Sequence, residues 1–252
     1  MKVAGSGILA VLGLAARLGA QAPLTPFEDA EARAIVRLQL PCLGCHELDG
    51  EGGRSAPSLT SVGRRRSAAY IAAIIADPQG RVPGAAMPRH EMPASVRDMV
   101  TRLLARGAAG ADVPPVDAAA GGQFSAAGVP RGSPSATAIR ADGAALYAKW
   151  CASCHGATGE GDGPNARYLP TPPARHADAA TMARRPDDAL YDVIAAGGLA
   201  WGRSARMPAF GSTLTDGEIR ALVGQIRTLC RCVGPAWSRA GAPDDRARGT
   251  GR

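Results

Sequence analysis

Cys42-Leu43-Gly44-Cys45-His46 and Cys151-Ala152-Ser153-Cys154-His155 repeat one chemical pattern: two thiols three positions apart, then an imidazole. This C-x-x-C-H spacing is the attachment signature of a c-type haem. On a short helical turn the two thiols can each reach one vinyl group of the same porphyrin and become thioethers. The residue after the second thiol is carried beneath the iron and offers a neutral imidazole nitrogen as axial ligand. Two occurrences in a chain with six Cys and four His predict two haem c groups. Cys42, Cys45, Cys151 and Cys154 would hold them, with His46 and His155 on the irons. Two other chemistries compete. The four cysteines could share one zinc as paired knuckles, or each pair could be a thiol redox motif. Zinc leaves both following histidines without a task, and the redox motif wants a βαβ context that the chain lacks.

A low-spin haem needs a second axial side chain, usually Met or His. Met207-Pro208 stands eight residues before Thr215, which opens a capping box with Glu218. Eight residues before Ser95, which would open a similar box with Asp98, stands Met87, also followed by Pro. The matching register selects Met207 and Met87 as sixth ligands. His90 and Met92 stay open as rivals to Met87. Met99 reads as core filler, and His176 is expected on the surface. Thioether ligation favours ferrous iron over bis-His ligation, so both haems should have positive potentials. With both axial positions filled, no catalytic residue is assigned.

The elements that must position these residues form two copies of one plan. A helix capped by Thr25, with Pro26 and Glu28 in its first turn, would bury Ile35, Val36 and Leu38 and deliver the chain to Cys42. A helix from Asp142, carrying Leu146, Tyr147 and Trp150, runs into Cys151. Glycine-rich loops follow both motifs, Glu51-Gly52-Gly53 and Gly159-Glu160-Gly161-Asp162-Gly163-Pro164. Side-chain-free residues suit a loop wrapped close around a flat ring. The Pro57 carbonyl could accept the other imidazole N–H of His46, while Pro164, Pro170, Pro172 and Pro173 are equal candidates for His155. Short helices over 67–76 and 186–196 come next, the second stopped by Gly197-Gly198. Amphipathic helices close each copy with Val96, Met99, Val100, Leu103 and Leu104, and with Ile219, Leu222, Val223 and Ile226. No stretch alternates clearly, so the class is all-α.

Composition agrees with this plan. Aromatics are 4% of the chain, and there are 32 Gly and 20 Pro. That is thin material for two small cores, and a haem in each would supply the missing apolar surface. The formal net charge is +7, carried almost wholly by Arg. Arg64-Arg65-Arg66, Arg184-Arg185 and Arg203 with Arg206 could steer acidic protein partners. No nucleic-acid motif is present. Lys2, the apolar run Val3 to Leu18 and Leu18-Gly19-Ala20 before Gln21 read as an export signal, with an uncleaved anchor as the alternative. The expected organisation is a signal over 1–20, a first domain over 21–107, a linker over 108–135, a second domain over 136–232 and a disordered basic tail over 233–252.

These motifs together resemble the bacterial dihaem c-type cytochromes built of two fused class I domains. C-x-x-C-H, the glycine-rich loop, Met-Pro and the closing helix carry the resemblance across about residues 25 to 230, most closely in Gly161-Asp162-Gly163-Pro164 and Arg206-Met207-Pro208-Ala209-Phe210. It implies a helical fold around each edge-exposed haem. It also implies a periplasmic carrier of single electrons between a dehydrogenase or respiratory complex and a terminal acceptor. Trp201, Arg203 and Arg206 would then lie near the second haem's exposed edge or its propionates, with surface placement without a role as the alternative. A dihaem enzyme (a peroxide reductase or a thiosulfate dehydrogenase) and a cytochrome subunit of a larger oxidoreductase are the alternatives. Cys230-Arg231-Cys232 falls outside the resemblance; free thiols, a local disulfide and a link to another chain all fit it.

Overall fold

The computed structural model describes residues 23–106 and 141–238. The expected signal over 1–20 and the linker over 108–135 lie outside these residues, as does the tail beyond Ser238. The described part is mostly helical, as the patterning predicts. Its one departure is a two-residue antiparallel pair, Glu47–Leu48 with Glu51–Gly52.

In the N-terminal half, α1 (Pro26–Leu38) opens on a complete capping box between Thr25 and Glu28. It buries Ala32, Ile35 and Val36, but Leu38 is 69% exposed. Leu38 was expected inside; the helical period turns it away from the face shared by Ala32, Ile35 and Val36. After the first motif come α2 (Ala68–Ala76), capped by Ser67, and the single turn α3 (Pro78–Arg81), capped by Asp77. The closing helix α4 (Ala94–Leu104) lies across α1 and α2. Its start corrects the expected Ser95 cap. Pro93 is the N-cap, with no side-chain hydrogen bond, and the first turn closes through Arg97 N–H on the Pro93 carbonyl. The ring of Pro93 fixes φ for an extended entry, which places Ser95 inside the first turn.

The C-terminal half repeats the arrangement. Helix α5 (Gly143–Trp150), capped by Asp142, runs into α6 (Ala152–His155). Then come α7 (Ala179–Met182) and α8 (Asp187–Ala196), which stops at Gly197 with φ 78°. The closing helix α9 (Asp216–Cys230) carries the Thr215–Glu218 capping box and packs on α5. Each half has its own core. Ile35, Val36, Leu43, Ile71, Val100 and Leu103 are among the residues that fill the first. Tyr147, Met182, Leu190, Phe210, Ile219 and Leu222 are among those of the second. In both, the helix entering the cysteine motif is pinned by the closing helix, so helix packing sets where the motif sits. Among the described residues no helix is long and apolar enough to cross a membrane. Cys230 and Cys232 are joined in a disulfide at the end of α9. Residues 233–238 continue into a 3-10 turn, Ala236–Ser238.

Candidate haem-attachment sites

Both motifs sit on one tight turn. In the first, Cys42–Gly44 form a 3-10 turn, and the His46 amide donates to the Cys42 carbonyl at 3.0 Å. In the second, the His155 amide donates to the Cys151 carbonyl at 2.9 Å. Thiol, thiol and imidazole therefore project from one short helical turn in each half. The other ring nitrogen of each histidine is also engaged. His46 Nδ1 lies 2.7 Å from the Pro57 carbonyl. His155 Nδ1 lies 2.9 Å from the Ala174 carbonyl, not from any of the four prolines weighed for that place. A carbonyl only accepts, so Nδ1 carries the proton in both rings and Nε2 keeps its lone pair for a metal.

The donor chemistry fits a covalent haem. All four cysteines are free. Burial pushes the thiols of Cys42 and Cys45 up to about 11 and that of Cys151 up to about 12, and raises Cys154. A redox-active thiol needs the opposite shift. Among the described residues no cluster of three or more His, Cys, Asp or Glu side chains could hold a metal ion, so the four cysteines do not converge on a zinc. Burial also lowers His46 and His155 below the usual imidazole value, which keeps both rings neutral and able to ligate.

The glycine loops lie close against the cysteine motifs themselves. Gly163 sits over the second motif itself, with its amide on the Cys154 carbonyl at 3.2 Å. A Cβ there would collide with the carbonyls of Ala152 and Ser153. The loop needs glycine because it lies against the motif backbone.

The candidate sixth ligands are placed differently in the two halves. Met207 packs on the second core, and the Gly198 amide donates to its carbonyl at 3.0 Å. Met92 and Met99 pack on the first core, whereas half-buried Met87 belongs to neither core. With Pro93 as the cap of α4, Met87 stands six residues before its cap and Met207 eight before Thr215, so the register argument no longer matches. His90 lines a cleft of about 280 Å³ between the halves, facing Met207 and Pro208. Trp201 and Arg203 are exposed. His176 is buried, not superficial: it is 8% exposed and stacks on His155.

The two motifs adjoin. Asn165, 1% exposed, donates Nδ2 to the Gly44 carbonyl at 3.0 Å and to Ser55 Oγ at 2.7 Å. Its Oδ1 accepts from the amides of Arg54 and Ser55. Cys154 Sγ is 3.9 Å from the same Gly44 carbonyl. Arg206 crosses the seam as well: Nη2 bonds Glu51 at 2.7 Å, while buried Nη1 has no partner among the described residues. A buried guanidinium N–H beside a haem-attachment motif suits an anionic acceptor such as a propionate. Asn165 and Ser55 escaped the sequence reasoning, which named Gly44 and Glu51 only as parts of the motif and its loop. Asn165 follows directly on the glycine-rich loop, the one local signal that could have drawn attention to it.

Residues 138–224 match the family model described as cytochrome C oxidase, cbb3-type, subunit III. Over these residues the chain is similar to a c-type cytochrome domain. A domain of this kind carries covalently attached haem c and transfers electrons with redox partners. The cytochrome c domain so matched includes Cys151, Cys154, His155 and Met207. No curated protein and no solved structure matches the chain.

Proposed function

We propose that the protein is an exported dihaem electron carrier, with one haem c on Cys42, Cys45 and His46 and a second on Cys151, Cys154 and His155. Each iron would cycle between ferric and ferrous states, taking one electron from a donor protein and giving it to an acceptor protein. Met207 is the sixth ligand of the second iron. Met87 is that of the first, because it is followed by Pro as Met207 is, and His90 faces the other half. The observation that carries the dihaem reading is the likeness of the N-terminal motif to the matched one. It has the same hydrogen bond from the His amide to the first Cys carbonyl, the same free thiols and likewise a backbone carbonyl on Nδ1. The contact of Gly44 with Asn165 and Cys154 supports a relay, since it brings the two attachment edges together. The exposed side chains Leu199 and Trp201, with Arg203 beside them, offer a face for an acidic redox partner. The pattern over residues 1–20 supports export to the periplasm.

Haem counting with reduced-minus-oxidised redox titration of the mature protein tests this reading. Two haems per chain, both low-spin and both of positive potential, are expected; a single haem, or bis-His spectra at both, would overturn it. A second reading, a cytochrome subunit of a larger oxidoreductase, is favoured by the matched family's description as an oxidase subunit. Stable co-purification with a catalytic partner would select it. Peroxide turnover, with one reduced haem high-spin, would select a dihaem enzyme instead.

A further inference from the structure

The segment after the second glycine loop serves His155 twice. The Ala174 carbonyl accepts from its Nδ1. Two residues on, His176 lies flat against its ring, with centroids 4.1 Å apart and planes 13° from parallel. His176 does not drift there. Its own Nδ1 is hydrogen-bonded to the Tyr147 hydroxyl at 3.0 Å. Tyr147 is 2% exposed on α5, one turn before Cys151, in the core shared with α9. The Ala177 amide fixes the backbone on the Gly159 carbonyl at 2.9 Å. A buried chain of contacts thus runs from the core through Tyr147 and His176 to the face of the His155 ring.

Among the described residues the first half has no such chain. At the matching register, two residues after the Pro57 carbonyl, stands Leu59, and four residues before Cys42 stands the exposed Leu38. Two otherwise parallel sites therefore differ in the residues at these two positions.

We propose that His176, held by Tyr147, is a positioning residue that fixes the plane of the His155 imidazole and sets the second haem apart electronically from the first. A ligand ring locked against a parallel π face cannot rotate, and the orientation of an axial imidazole and the polarity around it tune a haem iron. A polar ring beside the ligand favours the more positive ferric state. The pair thus lowers the second midpoint relative to an aliphatic side chain in its place. Two unequal sites give an electron a preferred direction through the relay.

The inference rests on His155 ligating a haem, and the test separates the two. His176→Leu, His176→Phe and Tyr147→Phe are made in the full mature protein. Haem content is counted first, then midpoints and ferric low-spin electron paramagnetic resonance are recorded. Expected is two haems in each variant, with one midpoint raised and one set of g-values moved in His176→Leu. Tyr147→Phe should give a smaller change of the same sense, and His176→Phe, which keeps the stack, should hold the g-values near wild type. The other haem stays unchanged throughout. Loss of thermal stability alone, with both midpoints and both signals on the wild-type values, overturns the inference. An absent second haem in the wild-type protein overturns the ligand assignment beneath it. If His176→Leu does not load haem, Tyr147→Phe decides on the same readouts.

Discussion

Asn165 Nδ2 hydrogen-bonds the carbonyl of Gly44, the residue between Leu43 and Cys45 in the first motif, at 3.0 Å. The same side chain accepts the amides of Arg54 and Ser55 through Oδ1. One buried amide from the C-terminal half therefore satisfies three backbone groups of the N-terminal half. Asn165→Ala should cost about 2–4 kcal/mol, because it strands buried donors and an acceptor together. Asn165→Asp keeps the acceptor but turns the Gly44 carbonyl toward a negative charge, and should be no better. Denaturant midpoints of the two variants against wild type check this; a loss within 0.5 kcal/mol, the usual surface-substitution range, would mean the seam is not held here.

The Cα of Gly44 lies so near the carbonyl of Arg206 that an added Cβ would overlap it. Gly44→Ala must push the halves apart or distort the first motif, and should cost about 1–3 kcal/mol. Small-angle scattering of the variant should show a more extended particle than wild type, with haem content in the second motif preserved.

What the sequence made legible is local. The C-x-x-C-H turns, the Thr25 and Thr215 capping boxes and the stop at Gly197 are set by residues three or four apart, and each is where the spacing predicts. The seam is not local. Asn165 and Gly44 are 121 positions apart, and no periodicity reports on such a pair. Burial of His176 depends on Tyr147, 29 residues away. A lone His in a loop of small residues gives no hint of that. Ala174 was missed for another reason: only its backbone carbonyl acts, and any residue type carries one. The Ser95 cap failed because Pro93, with its fixed φ, already supplied an extended entry.

Replacing the candidate thioethers separates them from their rivals. Met207→His should keep the second haem low-spin while lowering its midpoint, since imidazole stabilises ferric iron more than a thioether does. Met87→His should do the same to the first. Met92→Leu should leave both spectra unchanged and cost less than about 1.5 kcal/mol, as a volume-conserving core change. His90→Ala should leave both spectra unchanged; loss of the first haem's low-spin signal in that variant would transfer the ligand role to His90.

Glu47 ties down the hairpin that follows the first motif. Its carboxylate accepts from the hydroxyls of Ser58 and Thr60 and from the Gly50 amide. The Ser58 hydroxyl, then the Gly50 amide, hold it below the ordinary carboxylate value. A depressed folded pKa gives stability that is present above the unfolded value, about 4.3, and lost as pH falls through the folded value. Glu47→Gln should therefore be less stable than wild type at neutral pH, with the gap closing in acid below about pH 4. Denaturant midpoints of both proteins between pH 7 and pH 3 check the sign. A gap that is constant across that range would show that ionisation of Glu47 contributes nothing.

Arg206 and Met207 are chain neighbours that face different halves. The guanidinium of Arg206, 7% exposed, reaches Glu51 beside the first motif, while Met207 packs on the second core. Buried Nη1 without a partner is costly unless an anion meets it. A propionate of the first haem would meet that need. A buried cation near an iron favours the ferrous state, so Arg206→Gln should lower the first midpoint and leave the second nearly where it was. Arg206→Lys keeps the charge but not the planar fork, and should recover the midpoint more than the stability. Redox titration of the two variants, with the haems told apart by Met207→His in the same background, reads the effect directly. A shift in the second midpoint alone would place Arg206 on its own half's haem and return the anion contact to that side of the seam.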